Sequence, residues 1–306
     1  MNILGVVRHP HNRRRAGEGI RHALRAILPA RRPIREVSLP WQVPIRIRVD
    51  EKIGRHIWVY GVFDLSLCEA LWRLLDPGDF CVDAGANIGQ MTGLMACRAG
   101  GQGKVLAFEP HPDLCRELRH NVGLFRQRAD VAPVEILEAA LSDRSGAANL
   151  VAGRDFAANR GLAHLDDGCC TGISVKTVTL DEVVKDRSVA VLKLDVEGHE
   201  LPVLAGARAL LSGRRIRHIL YESNAGASGP AHNLLRDAGY TLYGIRSWKC
   251  GFPILADLAG ATSENYLATL DSRETERRFD PSEWLSLGST VDLAVVRPQI
   301  TRGCIR

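Results

Sequence analysis

Short apolar segments and helical repeats alternate along the chain from residue 80 onward. The helical spacing of apolar residues occurs at 88–99, 112–125, 181–186, 200–212 and 230–238. Strands that alternate with helices in this way are typical of βαβ units, in which helices cover both faces of a parallel sheet. The pattern therefore predicts an α/β fold with a mostly parallel sheet. The predicted strands are FCVDA, KVLAFE, VEILEAAL, VAVLKLD, IRHILYE and YTLYGI.

Three regions depart from this alternation. Residues 144–178 contain glycines and short alternating runs without a clear helix, and we predict an inserted hairpin or loop over the sheet edge. In the lead-in at 39–79, VPIRIRVD and HIWVYGVF are predicted to pair as a hairpin, and LSLCEALWRLL to form a helix. The tail adds two strand candidates, ENYLATL and TVDLAVV, so the main domain is expected to span 80–298.

The positive charge of the chain is concentrated at its start. The first 50 residues contain eleven arginines and three acids, while the whole chain has a net charge of +5, so the remainder is acidic overall. Residues 1–38 are therefore predicted to form a basic, flexible arm without a firm nucleic-acid signal. Alternatively, Ile20, Leu24, Ile27 and Leu28 share one face of a short helix with arginines opposite, which would suit an anionic surface.

The sequence has no signal of membrane insertion or secretion. No apolar run approaches the roughly 20 residues that a membrane span needs, and the basic start leads into no signal-peptide core. The eight cysteines include no C-x-x-C pair, which indicates scattered reduced thiols and neither a zinc site nor a disulfide framework. These features predict a soluble, cytoplasmic protein.

The first predicted strand ends in a glycine-rich turn. Its pattern, Asp83-x-Gly85-x-Asn87-x-Gly89, differs from the G-x-G-x-x-G spacing of dinucleotide-binding turns. A carboxylate at a strand tip would repel a pyrophosphate but attract a ligand with a positive end, such as the ammonium and sulfonium groups of S-adenosylmethionine. Gly85 is expected to let the backbone approach that ligand, and Gly89 to let the next helix pack closely.

Two further acids follow at the ends of the next two strands. Glu109 comes about 20 residues after the turn, where a carboxylate can accept hydrogen bonds from both ribose hydroxyls of a nucleoside. Asp143, or the backbone near Ser142, is placed to meet an adenine amino group. Because ligands bind beyond the carboxyl ends of parallel strands, this ordered set predicts one nucleoside site.

A second cluster of polar residues lies in VAVLKLDVEGHELPVLAGA. Its strand ends at Asp195, followed by Glu197, His199 and Glu200, and the next strand ends at Glu222. If the two strands are neighbours, Asp195, Glu197 and Glu222 converge at the cleft. For Glu200 the alternative role is to stabilise the helix start. Two interpretations stay open: His199 or Asp195 accepts a proton from a hydroxyl, or the acids hold a divalent metal.

Six segments follow the motif order of one known family: FCVDAGANIGQMT, VLAFEPHP, LRHNV, ALSD, VKTVTLDEVV and VLKLDVEGHELPVLAGA. Through them the chain resembles the FkbM family of S-adenosylmethionine-dependent methyltransferases over about residues 58–245. The resemblance implies the class I methyltransferase fold, a seven-stranded sheet with helices on both faces. It also implies that Asp83, Gly85, Asn87 and Gly89 line the methionine end of the cofactor and that Glu109 holds its ribose.

The same resemblance implies where the chemistry takes place. It puts Asp195 near the reacting methyl group and Glu197 and His199 at the mouth of the active site. The expected convergence of the two strand ends adds Glu222 to the same catalytic set. The family commonly methylates hydroxyls, so we predict in-line O-methylation of a sugar, glycan or natural product, with His199 as the base and Asp195 as its rival.

The acceptor and the alternatives are less closely defined by the sequence. Residues 144–178 and the lead-in before Phe80 are expected to form the acceptor-binding wall, because loops on a rigid scaffold usually determine specificity. One alternative is an NAD-dependent oxidoreductase, which the acid about 20 residues after the turn would suit. The other is a non-catalytic S-adenosylmethionine-binding adaptor at a membrane or nucleic acid, which the basic arm would suit.

Overall fold

The computed structural model describes residues 6, 8–11, 24–25, 33–128, 130–152, 156, 160, 163–165, 172–224, 228–262, 264–280 and 283–287. The strands in these ranges are β1 (Ile34–Ser38), β2 (Pro44–Arg48), β3 (Phe80–Ala84), β4 (Lys104–Phe108), β5 (Val134–Leu137), β6 (Ala140–Leu141), β7 (Gly146–Val151), β8 (His164–Leu165), β9 (Ile173–Val178), β10 (Val189–Leu194), β11 (Ile216–Glu222), β12 (Thr241–Ile245), β13 (Leu255–Ala256) and β14 (Asn265–Thr269). The α-helices are α1 (Lys52–Tyr60), α2 (Leu65–Leu74), α3 (Gln90–Ala99), α4 (Pro112–Phe125), α5 (Leu180–Val184), α6 (Glu200–Ala205), α7 (Arg208–Ser212), α8 (Pro230–Asp237) and α9 (Ser272–Phe279).

Eight of the described strands form one sheet, in the order β13-β12-β14-β11-β10-β3-β4-β5. Strands β5, β4, β3, β10 and β11 are parallel, and β14 lies antiparallel between β11 and β12. The predicted α/β fold with a mostly parallel sheet is therefore confirmed. The eighth strand, beyond the seven expected, is the two-residue edge strand β13. The chain order reverses at β3, between β4 and β10, where open parallel sheets bind ligands.

Apolar residues cover both faces of this sheet. On one face Cys81 and Val191 pack with helices α2, α3 and α4, while on the other Val82 and Leu192 pack with α6, α7 and α8. All six residues of β10 are buried. Because neither face is open to water, polar groups that bind a ligand are confined to the ends of the strands.

The helices lie within a few residues of their predicted bounds. Helix α4 has the predicted bounds because Pro112 occupies its first turn and the His111 side chain accepts a hydrogen bond from the backbone N–H of Asp113 at 3.2 Å. The helix predicted at 200–212 is divided into α6 and α7 at Gly206. A Cβ at Gly206 would lie 2.0 Å from the carbonyl oxygen of Ser142, so the chain passes too close there for a side chain.

The predicted strand HIWVYGVF is wrong, because this segment forms helix α1. Glu51 caps the helix by accepting hydrogen bonds from the backbone N–H groups of Ile53 and Gly54, and Gly61 ends it in the left-handed conformation with φ of 83°. A hairpin does precede the main sheet, but β2 pairs with β1 and not with the segment after it. Glu51 is the local signal of a helix start in this segment, although the alternation of apolar residues favoured a strand.

The inserted region contains a second, four-stranded sheet in the order β6-β9-β7-β8. Strands β7 and β9 pair antiparallel, which is the hairpin predicted for 144–178. The segment VEILEAAL is not one strand: β5 belongs to the main sheet, whereas β6 pairs with β9. The chain thus leaves the main sheet at its edge and builds a wall beside the carboxyl ends of the strands.

The predicted flexible arm differs from the structure at several described residues. Val6, His9 and His11 are buried, and the His9 ring contacts Trp248 at a centroid distance of 4.6 Å. Strand β1 also lies within the stretch assigned to the arm. Most of the amphipathic segment at 20–28 and the predicted strand TVDLAVV lie outside the described residues. In the described part of the chain, no helix is both long enough and apolar enough to cross a membrane.

Candidate active site

A cavity of about 690 Å³ lies beyond the carboxyl ends of β3, β4, β10 and β11. It brings the glycine turn and the second polar cluster together, as the strand order requires. The residues predicted from the sequence that line it are Gly85, Asn87, Glu109, Asp195, Glu197, His199 and Glu222. Residues of the lead-in, of the inserted sheet and of the start of β14 close the remaining sides, among them Asp64, His164 and Asn265.

The glycine turn is held tightly against the end of β10. Gly85 has φ of 74°, and a Cβ there would lie 1.9 Å from the carbonyl oxygen of Asp195. Gly85 is therefore required by the neighbouring backbone, whereas the sequence suggested a close approach to ligand. Gly89 lies behind the cavity, where a Cβ would be 2.7 Å from Leu118, in agreement with the predicted close helix packing.

Glu109 closes the turn from the end of β4. Its two carboxylate oxygens accept hydrogen bonds from the backbone N–H groups of Asn87 at 2.8 Å and His111 at 2.9 Å. Burial raises the pKa of Glu109 to about 7. A carboxylate has about four acceptor positions, so Glu109 keeps acceptor capacity for hydroxyl groups in the cavity.

Asp83 does not line the cavity, contrary to the expectation that its charge meets the ligand directly. It is fully buried, and one carboxylate oxygen accepts a hydrogen bond from the Thr92 hydroxyl at 2.6 Å. The other oxygen lies 3.3 Å from the Lys193 ammonium. Lys193 lines the cavity and was missed in the sequence, although a lysine within an apolar strand is a signal that a partner must be present.

The second cluster converges as predicted because β10 and β11 are neighbours. Burial and the charges of Asp195 and Glu200 raise the pKa of Glu197 to about 7. Burial, the charges of Asp195 and Glu197, and hydrogen bonds to Asp195 and Glu264 raise the pKa of Glu222 to about 8. Carboxyl groups crowded in this way share protons near neutral pH.

Two acids of this cluster were not predicted. Glu264, just before β14, bonds to Glu222. Asp64 caps helix α2 by accepting a hydrogen bond from the Leu67 backbone N–H at 3.0 Å, and it also accepts one from the Asn265 side chain at 3.0 Å. Burial raises the pKa of Asp64, and the charge of Asp195 adds to this effect. Both acids come from segments remote in sequence, which only the folded chain brings to the site.

Glu200 shapes the loop that carries the predicted catalytic residues. Its carboxylate accepts hydrogen bonds from the backbone N–H groups of Val196 at 3.2 Å and Gly198 at 3.3 Å. Glu197 adopts φ of 52°, a conformation that non-glycine residues rarely take. Such conformations persist where surrounding contacts hold them, and they are common at functional sites.

His199 is held by the segment that follows β6. The Ser142 hydroxyl lies 3.0 Å from Nε2 of His199 and donates a hydrogen bond to Asp143 at 3.2 Å. Asp143 is exposed and does not line the cavity. The structure thus places Asp143 where it supports Ser142, which differs from the predicted contact with an adenine.

The remaining interpretation of the cluster was a divalent metal. In the described ranges, no group of three or more His, Cys, Asp and Glu side chains is arranged to hold a metal ion. A cationic organic ligand does not need such an arrangement of ligating side chains. It needs only negative charge and hydrogen-bond acceptors along the cavity.

The lining fits S-adenosylmethionine, which has a ribose and two positive groups. Glu109 offers acceptors for ribose hydroxyls, and Gly85 and Asn87 present backbone beside it. Acids outnumber cations in the lining, and two of the three cations, Lys193 and Arg160, are paired with acids behind it. Such a lining attracts a positive ligand. The acids are Asp64, Glu109, Asp195, Glu197, Glu222 and Glu264.

Comparisons with known proteins agree with this site. The model of the methyltransferase FkbM domain matches residues 83–242. Hexuronic acid methyltransferase AglP of Haloferax volcanii is 31% identical, with 54% of this chain and 70% of the relative covered. The 31-O-demethyl-FK506 methyltransferase FkbM of Streptomyces tacrolimicus is 33% identical, with 55% of this chain and 75% of the relative covered.

A solved structure of an FkbM methyltransferase from Methylobacillus flagellatus is 14% identical with a TM-score of 0.41, and the match covers 62% of this chain and 43% of that chain. The domain match extends over half of the present chain and contains the glycine turn, Glu109 and the carboxylate cluster. The sheet order with its antiparallel strand β14 is that of the class I methyltransferase fold. The chain belongs to the FkbM family of S-adenosyl-L-methionine-dependent methyltransferases.

Proposed function

We propose that the chain transfers a methyl group to a hydroxyl oxygen of a sugar, glycan or natural product. The observation that supports this proposal is the convergence of Asp195, Glu197 and Glu222 in the cavity that also contains Glu109. The names of the two relatives agree with it, since one describes a methyltransferase of hexuronic acid and the other a methyltransferase of 31-O-demethyl-FK506.

An alcohol needs a base when it is methylated, whereas a neutral amine reacts through its own lone pair. When bound, the cofactor supplies a methyl group on a positively charged sulfur. The acceptor O–H bond breaks and an O–C bond forms, so one proton must pass to the protein or to water. Carboxyl groups with pKa near neutral pH are suited to take it, because they are deprotonated often enough and still bind a proton well.

Glu222 joins His199 and Asp195 as a candidate for this base. The pKa of Glu222 is raised to about 8 and that of Glu197 to about 7, so both titrate near neutral pH. Glu222 pairs with Asn265 of β14, and both residues line the cavity. His199 stays a candidate because it lines the same cavity.

The test is incubation with methyl-labelled S-adenosylmethionine and a panel of acceptors. The panel contains hexuronic acid glycosides, neutral hexosides, a polyhydroxylated macrolide and matched primary amines. We expect label on an ether oxygen of at least one hydroxylated acceptor, located by NMR of the product. Label found only on nitrogen, or only as a methyl ester of a carboxylate, would overturn the proposal of hydroxyl methylation.

A surface variant provides the matched control for this assay. Asp186 is fully exposed and pairs with Arg215 at 3.2 Å, far from the cavity lining. Asp186→Asn therefore removes a carboxylate without touching the site and should keep full transfer. Glu222→Gln, which makes the same chemical change inside the cavity, should lower transfer to the hydroxyl acceptor and spare cofactor binding.

A further inference from the structure

Lys193 occupies a position where an unpaired ammonium would be costly. It lies in β10 with only 3% of its side chain exposed, and every residue of that strand is buried. Moving a charge out of water is unfavourable unless partners compensate it. The contacts of the Lys193 ammonium therefore indicate the role of this residue.

The ammonium of Lys193 joins three elements of the site. It lies 3.3 Å from Asp83 at the end of β3 and 3.4 Å from Asp195 just after β10. It also donates hydrogen bonds to the carbonyl oxygen of Gly85 at 2.9 Å and of Ala84 at 3.4 Å. The same cation thus holds the glycine turn and faces the carboxylate cluster.

The charges around Lys193 come from several packed elements. Asp83 and Glu109 lie on the cofactor side, while Asp195, Glu197 and Glu222 lie on the other. Burial lowers the pKa of Lys193, but the charges of Asp83 and Asp195 more than offset it, so the pKa is raised and the ammonium stays protonated. The ammonium of Lys193 is therefore shared between the carboxylates of Asp83 and Asp195.

We propose that Lys193 is a positioning residue for methyl transfer, which holds the carboxylate of Asp195 beside Glu197 and Glu222 and fixes the glycine turn relative to them. Burial and the charge of Asp195 raise the pKa of Glu197 and of Glu222, so the proton from the acceptor is retained on one of these neighbouring carboxyl groups. Lys193 itself touches no acceptor in this proposal. It acts through the carboxylates, and its effect must therefore be visible in their titration.

Removal of the Lys193 ammonium should change the pKa of the clustered carboxyl groups in one direction. Without the cation, the carboxyl groups of the cluster hold protons more tightly, because an opposite charge within about 4–6 Å normally favours their ionised form by 1–3 pKa units. The acidic limb of the pH–rate profile should move upward by at least about one unit. Activity at pH 7 should then fall about five- to ninefold for a shift of one unit, because the ionised fraction of a group with a pKa of about 7 or 8 decreases by that factor.

The variants separate this role from a contribution to folding. Lys193→Met leaves the charge of Asp83 buried and unpaired, which can prevent folding. The double variant Asp83→Asn, Lys193→Met removes both charges and leaves the Thr92 hydroxyl a partner, so it is the variant to measure. Its titration is compared with that of Asp83→Asn alone, which isolates the loss of the cation from the loss of the negative charge. Lys193→Arg keeps the charge. Lys104→Met is the matched lysine control, because Lys104 pairs with Glu135 on the surface at the opposite end of β4.

The experiment records carboxyl ¹³C chemical shifts against pH for protein labelled at Asp and Glu, together with the pH–rate profile. We expect the double variant to fold and to titrate its cluster at higher pH than Asp83→Asn, with Lys193→Arg and Lys104→Met close to wild type. A double variant with the carboxyl titration of Asp83→Asn overturns the proposal. The NMR titration needs no acceptor, so a failure to find a hydroxyl acceptor would sink the proposed function and leave this inference to be judged separately.

Discussion

The two halves of the cavity are built in opposite ways. On the cofactor side, the turn after β3 is fixed by backbone contacts, and Glu109 is held by two backbone N–H groups. On the acceptor side, Asp195, Glu197 and Glu222 crowd together, two of them with pKa raised to about 7 and about 8. The pKa of Glu109 is also raised to about 7, but chiefly by burial, whereas neighbouring carboxylates add to the shifts of Glu197 and Glu222.

This difference agrees with what each half must do. A cofactor site binds one constant molecule and gains from a rigid, preorganised frame. A site that accepts a proton needs groups poised near neutral pH, which proteins obtain by burial and by clustering like charges. Variants on the cofactor side should therefore change stability or cofactor affinity, whereas variants of the carboxylate cluster should change turnover. The largest effect is expected on stability and the smallest on affinity.

The largest effect is expected from Gly85→Ala. The new Cβ would lie 1.9 Å from the carbonyl oxygen of Asp195, in a residue with φ of 74°. We expect a loss of more than about 3 kcal/mol in the free energy of unfolding, because overlap with backbone adds to left-handed strain. Chemical denaturation of the purified protein measures it.

Gly198→Ala is the matched control on the acceptor side. Gly198 has φ of 90°, but a Cβ there meets nothing within 4 Å, so only the conformational cost of about 1–2 kcal/mol is expected. Equal destabilisation by the two substitutions would contradict the view that the cofactor turn is the rigid half.

The sequence predicted most of the acids that line the two halves of the cavity, but it did not predict the contacts that hold them. The strand ends and their acids were found because apolar periodicity and chain order fix where parallel strands stop. Asp83 was misjudged because its partner Lys193 lies 110 positions away on a neighbouring strand, and pairing across a sheet leaves no local signal. Asp143 was assigned to the ligand because it follows a strand end, although it is exposed outside the cavity lining and bonds to its neighbour Ser142.

The lead-in shows a different limit. The alternating residues of HIWVYGVF suit a strand, and only the cap at Glu51 and the terminator at Gly61 determine that a helix forms. Asp64 could have been recognised as a cap of α2, but its position in the cavity depends on how the lead-in packs on the sheet. Local signals predicted the elements, whereas tertiary packing determined the site.

The second largest effect should be on turnover. If Glu222 is the base, Glu222→Gln should lower kcat by about 10²- to 10⁴-fold, which is the usual contribution of general base catalysis. The Kd for S-adenosylmethionine should be unchanged, because Glu222 lies on the acceptor side. Steady-state kinetics and calorimetry measure the two quantities on the same preparation.

His199→Ala and Asp195→Asn complete this comparison. The residue whose loss also removes the acidic limb of the pH–rate profile is the base. If all three variants keep wild-type turnover, none of them accepts the proton, and the crowded half of the cavity has no catalytic role. If only His199→Ala fails, the raised pKa of Glu222 reflects crowding without catalysis.

The smallest effect on function is expected from Glu109→Gln, which should lower cofactor affinity and leaves only one side-chain oxygen for the backbone N–H groups of Asn87 and His111. Charge-assisted hydrogen bonds are worth about 1.5–3 kcal/mol, so the Kd for S-adenosylmethionine should rise roughly 10- to 100-fold, with kcat at saturating cofactor retained. The pKa of Glu109 is about 7, and its ionised form is the better acceptor, so wild-type affinity should increase as pH rises from 6 to 8. The variant, which cannot ionise at this position, should lose that increase. Calorimetry at several pH values measures both effects, and an unchanged pH dependence in Glu109→Gln would show that another group of the cavity controls cofactor binding.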